Sequence, residues 1–235
     1  MIISNKAKTV LRSAALEFDE LADYIWKSPH LIDNETKIEK QKIKDYFPDN
    51  AEMAKLRWSY ESRKLQSTFP YIIAVSNLYS VTSLLESYLL LLICEIESGT
   101  LTKLIEIKGN GISRYFNFFE KNGINLNDIK YYKQVRASLK IRNAFIHANG
   151  ILKYLKESVE IRRIYSQHEF LENDHYKRKV ENKSRIDEVE IIQTAHGEKL
   201  QISMLYAHTL AFYYREFLSS LIDKMQQLEL DGTST

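Results

Sequence analysis

Residues 69–97, FPYIIAVSNLYSVTSLLESYLLLLICEIE, are the most apolar part of the chain and decide its fold. Aliphatic side chains recur there at helical spacing, and polar side chains, mostly serines, interrupt one side at intervals of three and four. Glu86 is the only charged residue between Pro70 and Cys94, and burying a lone carboxylate is costly. We predict a central core helix over 69–97, with Glu86 either exposed at a cleft or paired. Arg142 is the first candidate for its partner.

The composition favours further helices around this core. The chain has 235 residues, of which only 7 are Gly and 3 are Pro, while Leu, Ile, Lys and Glu are abundant. Periodicity predicts an amphipathic helix over 4–27 that ends at Ser28-Pro29, a short exposed helix within 33–50, and a helix from Ala51 to about Gln66. We therefore expect a mostly α fold, a helical bundle of about five or more helices with a small two-stranded β-hairpin near the C-terminus.

We expect residues 1–235 to form a single domain with its helical core at about 69–155. Residues 156–186 are rich in Lys, Arg, Glu, Asn and Tyr, which predicts a protruding or mobile segment. Residues 187–203 alternate as a β-hairpin does, and residues 204–228 predict a closing helix with Ser203 as its N-cap.

Charge and cysteine content restrict the function classes. The 33 basic and 31 acidic residues give a net charge of +2, so any nucleic-acid partner must be recognised by a local patch. The single cysteine, Cys94, is predicted to be a buried apolar residue and fits a reducing, cytoplasmic setting. The longest apolar run, 88–94, is too short for a membrane span. The six histidines show no metal-ligand spacing, and we expect no metal or other cofactor.

A second helix, predicted from near Asn127 to a left-handed cap at Asn149-Gly150, carries the chemically capable residues. Asn143 and His147 are four residues apart and therefore lie on one helix face. Arg136 and Lys140 extend this face as a basic stripe. The opposite face is apolar and predicts contact with the core; its members are Ile141, Phe145 and Ala148.

The segment Arg142-Asn143-Ala-Phe-Ile-His147 matches the R-x4-H pattern, with a polar residue directly after Arg, that typifies the HEPN superfamily. The chain resembles that superfamily over about 71–155, where the core helix with its acidic Glu86 precedes the motif helix. Residues 163–168 also satisfy R-x4-H, but they lack the Asn and the Asn-Gly ending. We interpret this second match as coincidence.

The resemblance implies a metal-independent endoribonuclease in which the ribose 2′-hydroxyl attacks the adjacent phosphate. It implies that His147 is the general acid or base, that Arg142 stabilises the phosphate charge, and that Asn143 orients either group or the substrate. Glu86 would support or orient the site, and Arg136 and Lys140 would bind flanking RNA phosphates. Candidates for stacking on a base are Tyr131, Tyr132 and Tyr154.

The same resemblance implies partners. The expected substrate is single-stranded or loop RNA, with tRNA among the candidates, and the expected setting is a toxin–antitoxin or antiviral-defence system. An antitoxin or another regulatory protein would then restrain the activity, and the protein would act as a homodimer.

The spacing of the motif creates a geometric difficulty. Arg142 and His147 point about 140° apart on a regular helix. A curled arginine side chain, distortion near Gly150, or assembly of the site across a dimer would relieve it, and HEPN dimers imply the last. The alternative function is a non-catalytic helical module that binds RNA or a nucleotide, or serves only in dimerisation.

Overall fold

A computed structural model describes residues 5–181 and 188–232. The chain is mostly helical, with a two-stranded antiparallel sheet near its C-terminus, which confirms the predicted fold class. The helices are α1 (Asn5–Tyr46), α2 (Ala51–Arg63), α3 (Phe69–Ile96), α4 (Gly111–Lys121), α5 (Tyr132–Ala148), α6 (Ser158–Ser166), α7 (Asn173–Glu181) and α8 (Tyr206–Gly232), and the strands are β1 (Val189–Thr194) and β2 (Gly197–Ile202).

The predicted core helix is confirmed as α3, which lies at the centre of the bundle. It packs against α1, α8, α4 and α5. Its buried side chains, such as Leu85 and Leu89, meet Phe18 of α1 and Tyr214 of α8 in one continuous core. Burial of each such side chain stabilises the fold by about 1.5–3 kcal/mol, and α3 packs directly against α5, which carries most of the candidate residues.

Helix α1 continues through Pro29, so the predicted end at Ser28-Pro29 is wrong. Proline has no backbone N–H, and Pro29 therefore leaves the carbonyl of Ile25 without its normal donor. The Ser28 hydroxyl donates to that same carbonyl at 2.8 Å, in a buried position. This replacement bond removes much of the cost of proline inside a helix.

The exposed helix expected within 33–50 is the second half of α1. The chain turns at 47–50, and the Asn50 side chain caps α2 by accepting from Met53 N at 3.0 Å. One π-helical turn, Lys64–Thr68, joins α2 to α3 without a break, with Phe69 N donating to Lys64 O. We call residues 30–63 the arm, because Ile43 and Glu61 are its only buried residues.

By length and composition alone, the continuous helix Ala51–Ile96 could cross a membrane, a test that core helices also pass. In the structure, its α3 part is buried on the side that faces the bundle. Cys94 lies on the exposed side of α3, so its predicted burial is wrong. The sequence misplaced it because its neighbours Leu90 and Leu91 are exposed apolar residues on the same surface.

The segment expected to protrude is folded over most of its length. Ile161 and Ile164 of α6 are buried, as are Phe170 and Leu171 in the turn that follows. These four side chains attach residues 158–171 to the core, so the expectation is wrong there. Residues 182–187, which include the end of this segment and the first hairpin residue, lie outside the described residues.

The predicted β-hairpin is confirmed, with Val189 paired to Ile202 and Thr194 to Gly197. It packs against the helices through Leu200, which is fully buried and donates from its N–H to Gly150 O at 2.8 Å. The hairpin thereby fixes the chain where it leaves α5. Ser203 does not cap α8 as predicted, because its Oγ is buried without a hydrogen-bond partner.

Candidate functional site

Helix α5 begins at Tyr132, five residues later than the predicted start near Asn127. The Asn125 side chain accepts from Asn127 N and stabilises a short 3₁₀ turn instead. Tyr131 then adopts a left-handed conformation with φ of 62°, and its ring centroid lies 4.7 Å from that of Tyr213. This aromatic contact with α8 sets the start of the helix and holds the Tyr131 ring against the bundle.

The left-handed C-terminal cap of α5 is confirmed. Asn149 has φ of 49° and Gly150 has φ of 77°. Gly150 N donates to Ala144 O and Asn149 N to Phe145 O, both at 3.0 Å, and these two bonds close the end of the helix. A Cβ on Gly150 would lie 2.8 Å from Leu200 O. The close approach of β2 therefore requires glycine there.

The structure places Asn143 and His147 together at a pocket of about 450 Å³ between α5, α6 and the short turn Leu152–Tyr154. His147 is exposed and Asn143 is half-buried. We call this the His147 pocket. It is lined by Lys140, Asn143, Ala144, His147, Tyr154, Leu155, Lys156, Glu157 and Ile161.

Lys140 lies at the inner end of the His147 pocket and is held by two carboxylates. Its Nζ is 2.8 Å from Glu157 and 3.1 Å from Glu160. Burial lowers the pKa of Lys140, but these two acceptors outweigh burial, so the pKa lies above its ordinary value. Sequence reasoning missed both glutamates; their spacing of three along a short amphipathic helix was the available signal.

Arg136 lines a second pocket, of about 530 Å³, which Lys140 also lines. Arg136 and Lys140 thus lie along one groove, as the basic stripe predicted. Two other cations in this groove, Lys133 and Arg163, pair with the buried Glu169. Arg136 is exposed, and its guanidinium lies 5.9 Å from the Tyr132 ring centroid.

Arg142 does not join this groove. It is half-buried on the side of α5 that faces α3 and α8, and its Nε has no hydrogen-bond partner. Burial raises the pKa values of Tyr79 and Tyr214, and the nearby Arg142 charge partly opposes that rise. The predicted divergence of Arg142 from Asn143 and His147 is therefore found within one chain.

Glu86 is half-buried, and Arg142, the first candidate for its partner, does not pair with it. Glu86 lies at the start of α4, where a Cβ on Gly111 would be 3.0 Å from its Oε1. The partial positive charge of a helix N-terminus favours a carboxylate there. Burial and the Glu86 charge together raise the pKa of Tyr115. Within the described ranges, Glu86 and Arg142 form no ion pair.

Of the three tyrosines considered for stacking, Tyr154 alone lines the His147 pocket, and it is 66% exposed. Tyr132 is buried and Tyr131 packs on α8. At the second R-x4-H match, Arg163 is engaged by Glu169, and the His168 ring packs on Tyr176 with centroids 4.6 Å apart. Arg163 and His168, the two residues of that match, are therefore both held by contacts within the fold.

Comparison with protein-family models, with curated proteins and with solved structures gives no match for this chain. Among the residues that the structure describes, no three His, Cys, Asp or Glu side chains are grouped so that they could hold a metal ion. The HEPN resemblance consequently rests on the sequence, that is, on the motif and on the core helix that precedes it.

Proposed function

We propose that the protein is a metal-independent endoribonuclease of HEPN type, active as a homodimer. The observation that supports the proposal best is the shared pocket of Asn143 and His147, which the exposed Lys156 borders with a cationic side chain, while Lys140 is held by Glu157 and Glu160. An exposed imidazole beside an amide and cations can bind a phosphodiester and exchange a proton with it.

In this reaction the RNA supplies the nucleophile. The 2′-hydroxyl gives its proton to His147 and attacks the adjacent phosphorus. The bond from phosphorus to the 5′-oxygen then breaks, and the 5′-oxygen takes a proton from a protonated histidine ring. The products are a 2′,3′-cyclic phosphate and a 5′-hydroxyl. Asn143 orients the phosphate, and Tyr154 offers an exposed ring for one base.

A second copy of the chain supplies Arg142 in this proposal. Ile146 lies between Arg142 and His147 on the α5 surface and is 49% exposed, so a partner could cover it. A two-fold axis near Ile146 would cover it and bring Arg142 of one copy towards His147 of the other. The guanidinium would then stabilise the charge that develops on the phosphate.

The first test is cleavage of single-stranded RNA in EDTA, with analysis of the product ends. We expect His147→Ala to reduce the rate by at least about 100-fold, the usual contribution of a positioned acid or base. His196→Ala is the matched control, because His196 is exposed in the hairpin turn. Equal cleavage by wild type and His147→Ala would refute the proposal.

A mixing experiment tests the shared site. Arg142→Ala and His147→Ala are each expected to be inactive, but a mixed dimer keeps one site with an intact arginine and an intact histidine. Random exchange of subunits should therefore restore about a quarter of wild-type activity. If both residues act within one chain, mixing restores nothing.

The separation of Arg142 and His147 within one chain also favours a second candidate, a module that binds RNA or a nucleotide without cleaving it. This module would form the same dimer and bind RNA in a salt-dependent manner. Binding without cleavage at high protein concentration would favour it over the nuclease. The proposal includes a toxin–antitoxin or antiviral-defence setting, an antitoxin or another regulatory protein that restrains the activity, and tRNA as a target. Capture of tRNA fragments from cells that express the protein tests the tRNA target.

A further inference from the structure

A pocket of about 380 Å³ lies on the other side of the α5 exit, between α3 and the hairpin. Its walls are the π-helical turn, the first residues of α3, strand β2 and the start of the segment that leads to α8. We call it the Lys199 pocket. It is lined by Gln66, Ser67, Pro70, Tyr71, Ile192, Lys199, Gln201, Ile202, Ser203 and Met204.

The charge of the Lys199 pocket is unbalanced. Lys199 is its single charged lining residue, and no carboxylate lies within ion-pair distance of Lys199 in the described part of the chain. Its Nζ instead lies over the ring of Tyr71, 4.3 Å from the centroid. Burial lowers the pKa of Lys199 below its ordinary value. An anion in this pocket would provide the missing counter-charge.

The other residues that line the pocket indicate which groups the ligand carries besides an anion. Gln66 and Gln201 carry amides, which can both donate and accept, and the buried Ser203 hydroxyl has no partner. The apolar lining residues Pro70, Ile202 and Met204 suit a flat or partly apolar body. The volume exceeds what a bare phosphate needs and approaches that of a small organic ligand.

The backbone beside this pocket is also irregular. The π-helical turn Lys64–Thr68 places Gln66 and Ser67 at the rim. Single π-helical turns within α-helices are rare and are frequently found at functional sites.

The pocket is connected to the motif helix through Tyr71. While Lys199 covers one face of its ring, the Tyr71 hydroxyl donates to the side chain of Asn149, which caps α5 two residues after His147. The backbone of Lys199 also bridges to Ile151 just beyond the cap. A ligand that moves or fixes Lys199 would therefore act on the end of α5.

We propose that the Lys199 pocket binds a nucleoside monophosphate, whose phosphate pairs with Lys199, and that occupancy is transmitted through Tyr71 and Asn149 to the end of α5. The binding does not depend on the nuclease proposal. It is expected to persist in His147→Ala, whereas RNA cleavage is not, so failure of one proposal leaves the other intact.

Calorimetric titration of the full-length protein with AMP, GMP, CMP and UMP tests the binding, with inorganic phosphate and the free nucleosides as separate arms. We expect at least one nucleotide to bind more tightly than phosphate or its own nucleoside. Lys199→Gln should weaken that binding by at least about tenfold, because a charge-assisted bond is lost. Lys153→Gln is the matched control, since Lys153 is exposed and does not line the pocket.

Several outcomes would overturn the proposal: no binding by any nucleotide, no preference over inorganic phosphate, or equal affinity in wild type and Lys199→Gln. If Lys199→Gln does not fold, Lys199→Met keeps the aliphatic stem and serves instead.

Transmission is tested by backbone NMR. The ligand should shift the Asn149 amide resonance in the wild-type protein and shift it less in Tyr71→Phe. An Asn149 resonance that does not move in the wild-type protein would overturn the proposed transmission to the end of α5.

Discussion

Replacing Gly150 with alanine should destabilise the fold much more than the same change at Gly123. Both glycines have positive φ, 77° and 88°, a conformation that costs an L-residue about 1–2 kcal/mol. Alanine also restricts the unfolded chain, which returns about 0.4–1 kcal/mol. The net backbone cost is thus at most about 1.6 kcal/mol at either position.

The surroundings of the two glycines differ. A Cβ at Gly123 meets no heavy atom within 4 Å, whereas a Cβ at Gly150 would lie 2.8 Å from Leu200 O and 3.2 Å from the Phe145 ring. Either β2 moves away or α5 shifts, and such overpacking costs about 1–3 kcal/mol. Shifting β2 also strains the bond from Leu200 N to Gly150 O. We expect about 3 kcal/mol of destabilisation for Gly150→Ala and about 1 kcal/mol for Gly123→Ala.

Urea unfolding followed by circular dichroism measures both changes. At about 2–4 °C per kcal/mol for a chain of this size, Gly150→Ala should also lower Tm by roughly 6–12 °C. A loss at Gly150 no larger than at Gly123 would show that β2 does not press against the cap of α5, and the reasoning about how the motif helix is closed would be refuted.

Two further predictions concern carboxylates near the groove. The double variant Glu157→Gln/Glu160→Gln should release Lys140 and tighten the binding of single-stranded RNA by roughly threefold to tenfold at low salt. Fluorescence anisotropy measures this affinity, and the gain should be smaller at high salt. No gain at low salt would contradict the prediction. Burial raises the pKa of Glu169, but Arg163 and Lys133 more than offset this, and the net pKa lies below its ordinary value of 4.5. A depressed folded-state pKa stabilises the protein above the unfolded pKa, and this contribution is lost as pH falls through the folded value. Glu169→Gln should therefore lower the free energy of unfolding by about 2 kcal/mol at pH 7, as measured by urea unfolding. The difference in free energy between variant and wild type should shrink below pH 4.5. A difference that does not change with pH would contradict the prediction.

The sequence predicted those parts of the fold that depend on local patterns. The apolar periodicity of 69–97 located α3, and the Asn149-Gly150 pair located the end of α5, because left-handed caps have a strong residue preference. Alternation within 187–203 located the hairpin. The sequence could not show that Leu200 N donates to Gly150 O, because that contact joins segments about fifty residues apart.

The errors share a different cause. The sequence placed a helix end at Pro29 because it could not foresee that Ser28 would donate to the carbonyl that proline leaves free. It started α5 too early because the aromatic contact of Tyr131 with α8 is tertiary. Residues 158–171 looked too polar to pack, yet four apolar side chains suffice for burial there.

The candidate site was predicted in part. Helical spacing correctly grouped Asn143 with His147 at one pocket, placed Lys140 and Arg136 along one groove, and separated Arg142 from them. Spacing within a helix says nothing about what approaches from other elements. The spacing of Glu157 and Glu160 was a signal, but only the three-dimensional arrangement shows that they hold Lys140. The place of Glu86 at α4 and the Lys199 pocket had no sequence signal of this kind.

The π-helical turn at Lys64–Thr68 has a consequence for how the chain tolerates insertions and deletions. A π-helical turn holds about one residue more than an α-helical turn, because its hydrogen bonds close from residue i to residue i+5. Deleting one residue from Lys64–Thr68 would therefore restore regular α-helix while α2 keeps nearly the same face towards α1. A homologue with one residue fewer is expected to keep the contact between α2 and α1, and the change would fall on the rim of the Lys199 pocket.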